Sequence, residues 1–375
     1  MNTGTVSHPA LRQLLSNALT PATLKRFLED QDFPLVAKGR VSFVWVGDAS
    51  QVELLRWIHG GVNRSAFQQV ADSPLWWLDL DVTDGGRFEY KLGINKSGEE
   101  HWILDPLNHS KAGDPFGDNS VCKTFGYVRP EWSMPQGAPR GKIEPLTINS
   151  ASFDETRREQ IYLPCGYTGN EIMPLLIIHD GADYLTYADL ATSLDNLIYA
   201  KIIQPIIVAL VQTGDRPGEY SGGRRHARYL VNDLLPVLES DYAVSKHARN
   251  RILLGASLGA VASLSTVFRY PGVFGGVVLH SGSFILDEKK LKGRPDPVFR
   301  RIARLVKAFR RVSDMPELRA FVSTGELEGL AMENRSLARL LRNNGVEVLF
   351  KSAWDGHHWH NWRNQLRDGL VWVLR

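Results

Sequence analysis

The spacing of apolar and polar residues changes along the chain, and each pattern predicts a different kind of structure. Residues 8 to 32 have a helical pattern, in which Thr20 followed by Pro21 is typical of an N-cap and a first helical turn. Short segments between residues 41 and 94 alternate apolar and polar positions instead, with Asp84 and two glycines forming a turn signal. Short alternating strands separated by such turns predict a small antiparallel β-sandwich.

Residues 126 to 145 are rich in proline and glycine, which predicts a linker without regular structure. Beyond it, continuous apolar segments alternate with helical patterns. Strands are predicted at residues 157–163, 173–182, 205–211, 252–254, 275–282, 318–325 and 346–352, and helices at 187–199, 228–242 and 362–374. Apolar strands that alternate with helices predict an α/β fold with a mostly parallel sheet covered on both faces.

These patterns divide the chain into four parts. They are an N-terminal helical segment (1–35), a β-sandwich domain (36–125), a linker (126–145) and an α/β domain (146–375). The total of 375 residues is enough for two domains, each with its own core.

Composition excludes several classes of function. The net charge of +3, without basic runs interleaved with aromatic residues, argues against a nucleic-acid partner. Cys122 and Cys165 form no disulfide framework, and no Cys/His spacing suggests zinc, so we expect neither a metal nor another cofactor. No apolar stretch is long enough to cross a membrane, and residues 1 to 20 lack a secretory signal pattern. We therefore expect a cytoplasmic protein with no membrane partner, whose oligomeric state the residues do not indicate.

The motif with the clearest chemistry is Gly255-Ala256-Ser257-Leu258-Gly259, which lies between an apolar strand and a helical pattern. This strand, sharp turn and helix with serine at the apex is typical of the nucleophile elbow of α/β-hydrolases. The five residues alone are a weak signal, because an ordinary serine in a tight turn could have the same pattern. The flanking strand and helix favour Ser257 as a catalytic nucleophile.

A serine nucleophile needs a base and an acid, which in α/β-hydrolases follow it in the order acid, then histidine. His357 follows Gly356 after the last predicted strand, so we predict that it is the base, and that His358 and His360 are surface or packing residues. The acid should follow the strand that ends near residue 324. Glu326 and Glu328 both qualify, although either could simply begin a helix. Asp355 is a third candidate, but it is very close in sequence to His357.

The tetrahedral oxyanion needs two N–H donors. We predict the N–H of Leu258, which follows the nucleophile, and that of Ala182 in the loop after an early strand, with Gly181 as the alternative. Ser283, in the turn after the predicted strand 275–282, either lines the acyl pocket or belongs to a plain turn.

From about residue 150 onwards the sequence resembles the enterochelin (ferric enterobactin) esterases, within the putative-esterase group of α/β-hydrolases. The matching segments are Ile161 to Tyr167, Asp180-Gly181, Arg216 to Glu219, Asp233 to Pro236, Gly255 to Gly259, Ser281 to Phe284, Gly325 to Glu328, Gly356-His357 and Trp362-Arg363. The resemblance implies that Ser257 is the nucleophile, His357 the base and Glu328 the acid. It also implies that Arg216 and Glu219 shape the rim of the active site.

Residues 36 to 125 resemble the immunoglobulin-like, early-set domains that precede esterase and glycan-processing domains. The matching segments are Phe43 to Asp48, Leu75-Trp76, Phe88 to Lys91 and Asp105 to Asn108. Two such domains in one chain agree with the organisation of the cytoplasmic enterochelin esterases.

The resemblance implies a small-molecule ester as substrate, with a ferric catecholate siderophore trilactone as the candidate. Its anionic catecholates would suit Arg216, Arg225 and the neighbouring Arg224 and Arg228. An acetyl or feruloyl esterase acting on plant polysaccharide is the alternative enzyme. A non-catalytic glycan-binding protein is the alternative outside enzymes.

Overall fold

The computed structural model describes residues 8–58, 61–285, 297–311 and 317–375, so the first seven residues of the predicted helical segment lie outside the described residues. The chain divides into two compact units. The first unit comprises Met1–Val128, Glu326–Gly329 and Ala353–His358, and the second comprises Arg129–Gly325, Leu330–Ser352 and Trp359–Arg375. Two short segments from the C-terminal half therefore belong with the N-terminal part of the chain.

The first unit begins with two helices, α1 (Pro9–Ser16) and α2 (Pro21–Asp30). Thr20 caps α2 as predicted, because its side chain accepts a hydrogen bond from the Thr23 N–H while the Thr23 side chain accepts one from the Thr20 N–H. The strands are β1 (Leu35–Ala37), β2 (Arg40–Val46), β3 (Gln51–Ile58), β4 (Gly61–Ala66), β5 (Gln68–Gln69), β6 (Leu75–Asp81), β7 (Arg87–Lys96), β8 (Glu99–Ile103), β9 (Lys111–Ala112) and β10 (Asn119–Lys123).

These strands form two antiparallel sheets, one in the order β1-β2-β6-β5 and one in the order β4-β3-β7-β10-β9, with β8 paired to β7. Alternate residues of both sheets point into one shared core. Phe43 of β2 and Tyr90 of β7, for example, make an edge-to-face contact with ring centroids 5.1 Å apart. The arrangement is a β-sandwich, and its assignment as an early-set domain stays a prediction.

The adjacent Trp76 and Trp77 point to opposite faces of β6, as expected for neighbouring strand residues. Trp76 packs in the core between the sheets. Trp77 is also buried, because it packs with Leu11, Leu14, Leu24 and Phe27 of the two N-terminal helices. Both side chains are therefore core residues of the first unit.

The second unit alternates strands and helices. Its strands are β11 (Lys142–Ser150), β12 (Glu155–Leu163), β13 (Leu175–His179), β14 (Ile207–Val211), β15 (Arg251–Ala256), β16 (Gly276–His280), β17 (Arg319–Gly325) and β18 (Glu347–Ala353). Its helices are α3 (Gly181–Tyr187), α4 (Leu190–Tyr199), α5 (Arg216–Tyr220), α6 (Arg224–Arg228), α7 (Leu235–Asp241), α8 (Leu258–Arg269), α9 (Pro297–Phe309), α10 (Ala331–Asn343) and α11 (Trp359–Leu374).

All eight strands form one sheet in the order β11-β12-β14-β13-β15-β16-β17-β18. β13 to β17 pair in parallel, whereas β11 and β12 are antiparallel. Successive residues of β15 pack on opposite faces: Leu253 joins the cluster that contains Leu264 of α8, and Leu254 joins the cluster that contains Leu366 of α11. The predicted mostly parallel sheet, covered on both faces, is confirmed.

The sequence pattern missed strand β11, which begins at Lys142 inside the segment interpreted as linker. Only alternate residues near its C-terminal end are buried, namely Leu146, Ile148 and Ser150. A proline in this strand is tolerated, because β11 is at the edge of the sheet, where an N–H need not bond to a further strand.

Two predicted helices differ in detail from those in the structure. The helix expected at residues 187–199 begins later, as α4 at Leu190, after Asp189 with its left-handed φ of 49°, and Tyr187 is instead the last residue of α3. The helix expected at residues 228–242 contains a π-helical turn, Tyr229–Leu234, before α7. Within the described part of the chain, no helix has the length and apolar character needed to cross a bilayer.

Candidate active site

Ser257 occupies the sharp turn between β15 and α8. Its backbone has φ 56° and ψ −118°, a strained conformation for a residue with a side chain. Two backbone hydrogen bonds hold it there: the Ser257 N–H donates to the His280 carbonyl (2.9 Å), and the Ser257 carbonyl accepts from the Ser283 N–H (3.1 Å). Such strain persists only where the surroundings impose it, and it is common at catalytic residues.

The glycines on either side of Ser257 are required by close packing. A Cβ atom added to Gly255 would lie 2.3 Å from the carbonyl carbon and oxygen of Gly259. A Cβ atom on Gly259 would lie 3.1 Å from Cβ of His179, at the end of β13. The strand, the helix and the loop after β13 can approach this closely only because both positions lack a side chain.

The Ser257 hydroxyl is half-buried, and its oxygen is 3.0 Å from the hydroxyl oxygen of Ser283. The turn that carries Ser283 is held firmly. The Asn334 side chain accepts from the Gly282 N–H (2.9 Å) and donates to its carbonyl (3.0 Å), and Trp362 donates to the Ser281 hydroxyl (2.9 Å). Ser283 therefore lies beside the predicted nucleophile.

The two predicted oxyanion donors both lie in first turns of helices. Leu258 is the first residue of α8, and Ala182 is the second residue of α3. N–H groups in a first turn have no partner within their own helix, which leaves them able to bind an anion. The turn before α3 requires Asp180 to adopt a left-handed φ of 57°.

Arg216 holds that turn. Its guanidinium donates to both carboxylate oxygens of Asp180, with distances of 2.8 to 3.0 Å, and makes a longer contact of 3.4 Å with the carbonyl of Ala256. Asp180 is buried, but the Arg216 side chain is 37% exposed. Arg216 is thus bound beside the elbow and still presents part of its charge to solvent.

The other two predicted substrate-binding residues make mainly structural contacts. Glu219 accepts two hydrogen bonds from Arg157, at 2.7 and 2.8 Å. Burial alone would raise the pKa of Glu219, but hydrogen bonds from His226, Arg157 and Thr213 outweigh it and lower this pKa to about 2. Arg225 is exposed but donates to the carbonyls of Ser152 (2.7 Å) and Phe153 (2.9 Å).

A pair of buried histidines contacts the helix that follows Ser257, and the sequence pattern did not predict this pair. Nε2 of His179 is 3.0 Å from Nε2 of His226, and Nδ1 of His179 is 3.0 Å from the hydroxyl of Ser263 in α8. Burial lowers the pKa of both imidazoles, so one neutral ring donates to the other. His179 ends an apolar strand and His226 lies in a basic cluster, and neither position indicates that they meet.

The predicted base and acid form a hydrogen-bonded pair in the first unit. Nδ1 of His357 is 2.5 Å from Oε2 of Glu328. The Glu328 side chain is only 2% exposed, whereas that of His357 is 35% exposed. Glu326 is exposed, and its backbone N–H donates to the Ala353 carbonyl (2.8 Å). The geometry therefore pairs the histidine with Glu328.

The remaining candidates near His357 have other partners. The carboxylate of Asp355 accepts two hydrogen bonds from the buried Arg87, and Nδ1 of His358 is 3.3 Å from a carboxylate oxygen of Glu89. Burial alone would lower the pKa of Arg87, but the facing carboxylates of Asp355 and Glu89 raise it. Asp355 is thus the partner of a permanent cation. His358 is a buried packing residue, and His360 lies in the first turn of α11.

No group of three or more histidine, cysteine, aspartate or glutamate side chains within the described ranges is arranged to hold a metal ion. Cys122, which is buried, and Cys165, which is exposed, are both free thiols.

A protein-family model described as Putative esterase matches residues 150–373. The chain is 24% identical to the iron(III) enterobactin esterase of Escherichia coli K12 over 298 residues, which cover 78% of this chain and 72% of the relative. The fold is similar to that of an enterobactin esterase from Shigella flexneri crystallised in the presence of enterobactin. That alignment has a TM-score of 0.73 and 20% identity over 89% of this chain and 92% of the other.

A ferulic acid esterase is also similar, with a TM-score of 0.55 and 19% identity over 63% of this chain and 98% of the other. At such identities a structural likeness shows a shared fold. Together with the family match, these relatives confirm the resemblance that the sequence motifs indicated.

Proposed function

Because the chain belongs to the putative-esterase family and is a carboxylester hydrolase, we propose that it uses Ser257 as nucleophile, His357 as base and Glu328 as acid. The observation that carries this proposal is the strained turn at Ser257, which places a half-buried hydroxyl at the start of α8. The His357–Glu328 hydrogen bond supports it independently, since it supplies an imidazole already oriented by a buried carboxylate.

The tautomer of His357 follows from this contact. The buried Glu328 carboxylate is an acceptor, so Nδ1 of the neutral His357 carries the proton and donates it. The lone pair is then on Nε2, where it can accept the Ser257 proton. When the imidazole becomes protonated, the same carboxylate stabilises the added charge.

In the proposed reaction the Ser257 oxygen attacks the ester carbonyl carbon, and the Ser257 proton passes to Nε2 of His357. The N–H groups of Leu258 and Ala182 stabilise the negative oxygen of the tetrahedral intermediate. His357 then gives its proton to the departing alcohol as the ester C–O bond breaks. A water molecule, deprotonated by His357, attacks the acyl-enzyme in the same way and releases the carboxylic acid and free Ser257.

The proposed substrate is a ferric catecholate siderophore whose backbone is a trilactone of ester bonds. The E. coli relative is named an iron(III) enterobactin esterase, and the Shigella protein was crystallised with enterobactin. Arg216, part-exposed beside the elbow, and the exposed Arg225 provide positive charge that suits anionic catecholates. Ser283 would line the space for the acyl group, and Glu219 would hold the rim through Arg157.

The second candidate is a feruloyl- or acetyl-type carbohydrate esterase, favoured by the fold shared with the ferulic acid esterase. That likeness covers 63% of this chain, whereas the likeness to the enterobactin esterase covers 89%. The wider coverage favours the siderophore. A glycan-binding protein without activity is the least supported reading, because it assigns no role to the strained serine or to the histidine–glutamate pair.

We propose that hydrolysis takes place in the cytoplasm and releases iron there. The two free thiols are consistent with a reducing compartment. Cell fractionation with an antibody against the chain checks this, and recovery from the periplasm or the medium would contradict it.

The experiment that tests the proposed function is a substrate panel assayed with the wild-type chain and with Ser257→Ala. The panel contains ferric and iron-free enterobactin, feruloylated sugars, acetylated sugars and a short-chain aryl ester, with products identified by mass spectrometry. We expect the ferric trilactone to be opened with the highest kcat/KM, gaining one water for each ester bond cleaved. We expect Ser257→Ala to lose this activity by about 10⁴-fold or more while keeping its unfolding temperature.

Each alternative predicts another result. Preference for a feruloylated or acetylated sugar would replace the siderophore with a carbohydrate substrate but leave the catalytic residues in place. Undiminished hydrolysis by Ser257→Ala would overturn the assignment of the nucleophile. A wild-type chain that binds glycans and cleaves no ester in the panel would favour the non-catalytic reading.

A further inference from the structure

We propose that Arg87, on strand β7 of the N-terminal sandwich, is a positioning residue that orients His357 through Asp355. The inference rests on the proposed role of His357 as the base. All the contacts that carry it lie within the first unit, which contains the sandwich and the segments Glu326–Gly329 and Ala353–His358. The sandwich is then part of the catalytic apparatus although it supplies no group that reacts.

The start of β7 holds the backbone of the histidine segment. The Arg87 N–H donates to the carbonyl of Trp354 (3.0 Å). A Cβ atom on Gly86 would lie 2.5 Å from the Trp354 carbonyl oxygen and from its ring, so this approach needs a glycine. The Trp354 ring also packs edge-to-face on Phe88 at 5.9 Å. The residues that lead into His357 are therefore packed against the sandwich.

The Arg87 side chain holds the next residue. Nη1 donates to Oδ1 (3.2 Å) and Oδ2 (3.0 Å) of Asp355, and Oδ1 of the same carboxylate accepts from the Gly356 N–H (2.7 Å). The Arg87 and Asp355 side chains are 2% and 3% exposed. Asp355 thus connects a buried cation of the sandwich to the N–H of Gly356, the residue directly before His357.

Glu89 extends the same set of contacts to His358, the residue that follows the proposed base. Its Oε1 accepts from Nη2 of Arg87 (2.7 Å), and its Oε2 accepts from Asn119 (3.0 Å) and lies 3.3 Å from Nδ1 of His358. The residues on both sides of His357 are held by one buried cluster centred on the Arg87 guanidinium. Without that cation, two buried carboxylates would face each other, and one would have to take up a proton or move toward water.

A displacement of Asp355 would affect the proposed acid, Glu328, as well as the proposed base, His357. The Leu327 N–H donates to the Asp355 carbonyl (3.1 Å), next to Glu328 in the chain. A displacement of Asp355 therefore changes the short Glu328–His357 hydrogen bond from both ends. Misplacement of a catalytic group by about 1 Å can lower kcat by roughly 100-fold.

The test compares Arg87→Lys, which keeps the charge but loses the planar guanidinium that bonds Asp355 and Glu89 together, with Tyr90→Phe. Tyr90 is a matched control, because it is buried on the same strand and donates to Asp105 (2.6 Å) rather than to a residue of the histidine segment. For Arg87→Lys we expect kcat to fall by roughly 10- to 100-fold with KM within about threefold of the wild-type value. The apparent pKa of the base in the kcat/KM profile should also shift. For Tyr90→Phe we expect a lower unfolding temperature but an unchanged pKa and a kcat within about twofold of the wild type.

Asp355→Asn is the second variant, since it keeps the size of the side chain and an oxygen for the Gly356 N–H while removing the charge that faces Arg87. It should shift the same apparent pKa and lower kcat in the same direction. All rates are measured well below the unfolding temperature of each variant. An unchanged pH profile and kcat in either folded variant would overturn the inference, as would a loss of kcat in Tyr90→Phe equal to that in Arg87→Lys.

Failure of the proposed function gives a different result. If Ser257→Ala and His357→Ala hydrolyse the ester as fast as the wild type, His357 is not the base and Arg87 has nothing to position. If both abolish hydrolysis while Arg87→Lys and Asp355→Asn remain normal, the esterase mechanism stands and only the role of Arg87 is wrong.

Discussion

The proposed nucleophile and the proposed base of this protein are supported in contrasting ways. The turn at Ser257 is held by backbone hydrogen bonds to His280 and Ser283, no more than 26 residues away, and its close packing depends on the two glycines of its own motif. His357 is held by residues about 270 positions earlier in the chain, since the sequence separation between Arg87 and Asp355 is 268. One position depends on local backbone geometry, and the other depends on a buried ion cluster contributed by a different part of the fold.

The two regions should therefore tolerate different kinds of substitution. Around Ser257 the backbone itself fills the space, so even one added methyl group must move a strand or a helix. Around His357 the restraint is charge and hydrogen bonding, so a substitution of similar volume can loosen the segment without creating a clash. Steric variants should therefore be most damaging at the elbow, and isosteric polar variants most damaging at the histidine segment.

The largest effect is expected for Gly255→Ala, which places a methyl group 2.3 Å from the Gly259 carbonyl. We expect loss of detectable hydrolysis and a decrease of about 3 kcal/mol or more in the free energy of unfolding, because backbone must shift. Urea unfolding and an ester assay measure both. Gly214→Ala is the control, since no atom lies within 4 Å of the added methyl group. Equal stability and activity in the two variants would show that the elbow has room to adjust.

The next effect is expected for Glu328→Gln, which changes the partner of His357 without changing its size. We expect kcat to fall by roughly 10³- to 10⁴-fold, because an amide can hold the imidazole in the wrong tautomer and cannot stabilise its charge. The unfolding temperature should change little by comparison. Glu326→Gln, two residues away and exposed, should keep kcat within about twofold. A larger loss in Glu326→Gln than in Glu328→Gln would reverse the assignment of the acid.

A smaller effect, on stability, is expected from Glu219 in the second unit. Its pKa is about 2 in the folded protein, below its ordinary value of 4.5, so the stability that its ionised form contributes is present above pH 4.5. That contribution is lost as the pH falls toward 2. Relative to Glu219→Gln, we expect the wild type to be more stable by roughly 1 to 3 kcal/mol at pH 7. Denaturant unfolding from pH 7 to pH 2.5 should show this advantage shrinking, and a constant difference would contradict it.

The smallest effect is expected for Ser283→Ala, which removes the hydroxyl 3.0 Å from that of Ser257. The Ser283 N–H would still donate to the Ser257 carbonyl, so the strained turn should survive. We expect kcat to change by no more than about threefold, with KM shifted more than kcat if the hydroxyl contacts the acyl group. A loss of kcat beyond about 100-fold would instead make Ser283 part of the catalytic machinery.

Many residues of the candidate site could be predicted from short sequence patterns. The glycine spacing around Ser257, the flanking strand and helix, and the histidine after the last strand are all patterns within short windows of sequence. The choice between Glu326 and Glu328 was not, because both follow the same strand and both could begin a helix. Burial separates them, since Glu328 is enclosed with His357 whereas Glu326 is exposed.

Local sequence patterns likewise predicted only part of the fold. Periodicity predicted the α/β sheet and the sandwich, because alternation and helical spacing reflect which face of an element is buried. It missed β11, where a proline and few buried positions hide an edge strand. It also could not predict that Glu326–Gly329 and Ala353–His358 pack with the first unit.

The amino-acid sequence alone was enough to predict most strands of the α/β sheet, the esterase family and the residues that could react. The three-dimensional structure was needed to find the carboxylate that pairs with His357, the buried histidines, and the contact of Arg87 with the segment before the proposed base. The physical reason is that helices, strands and tight turns arise from interactions between near neighbours in the chain. Buried ion pairs and hydrogen bonds join residues far apart in sequence, and no local pattern records their partners.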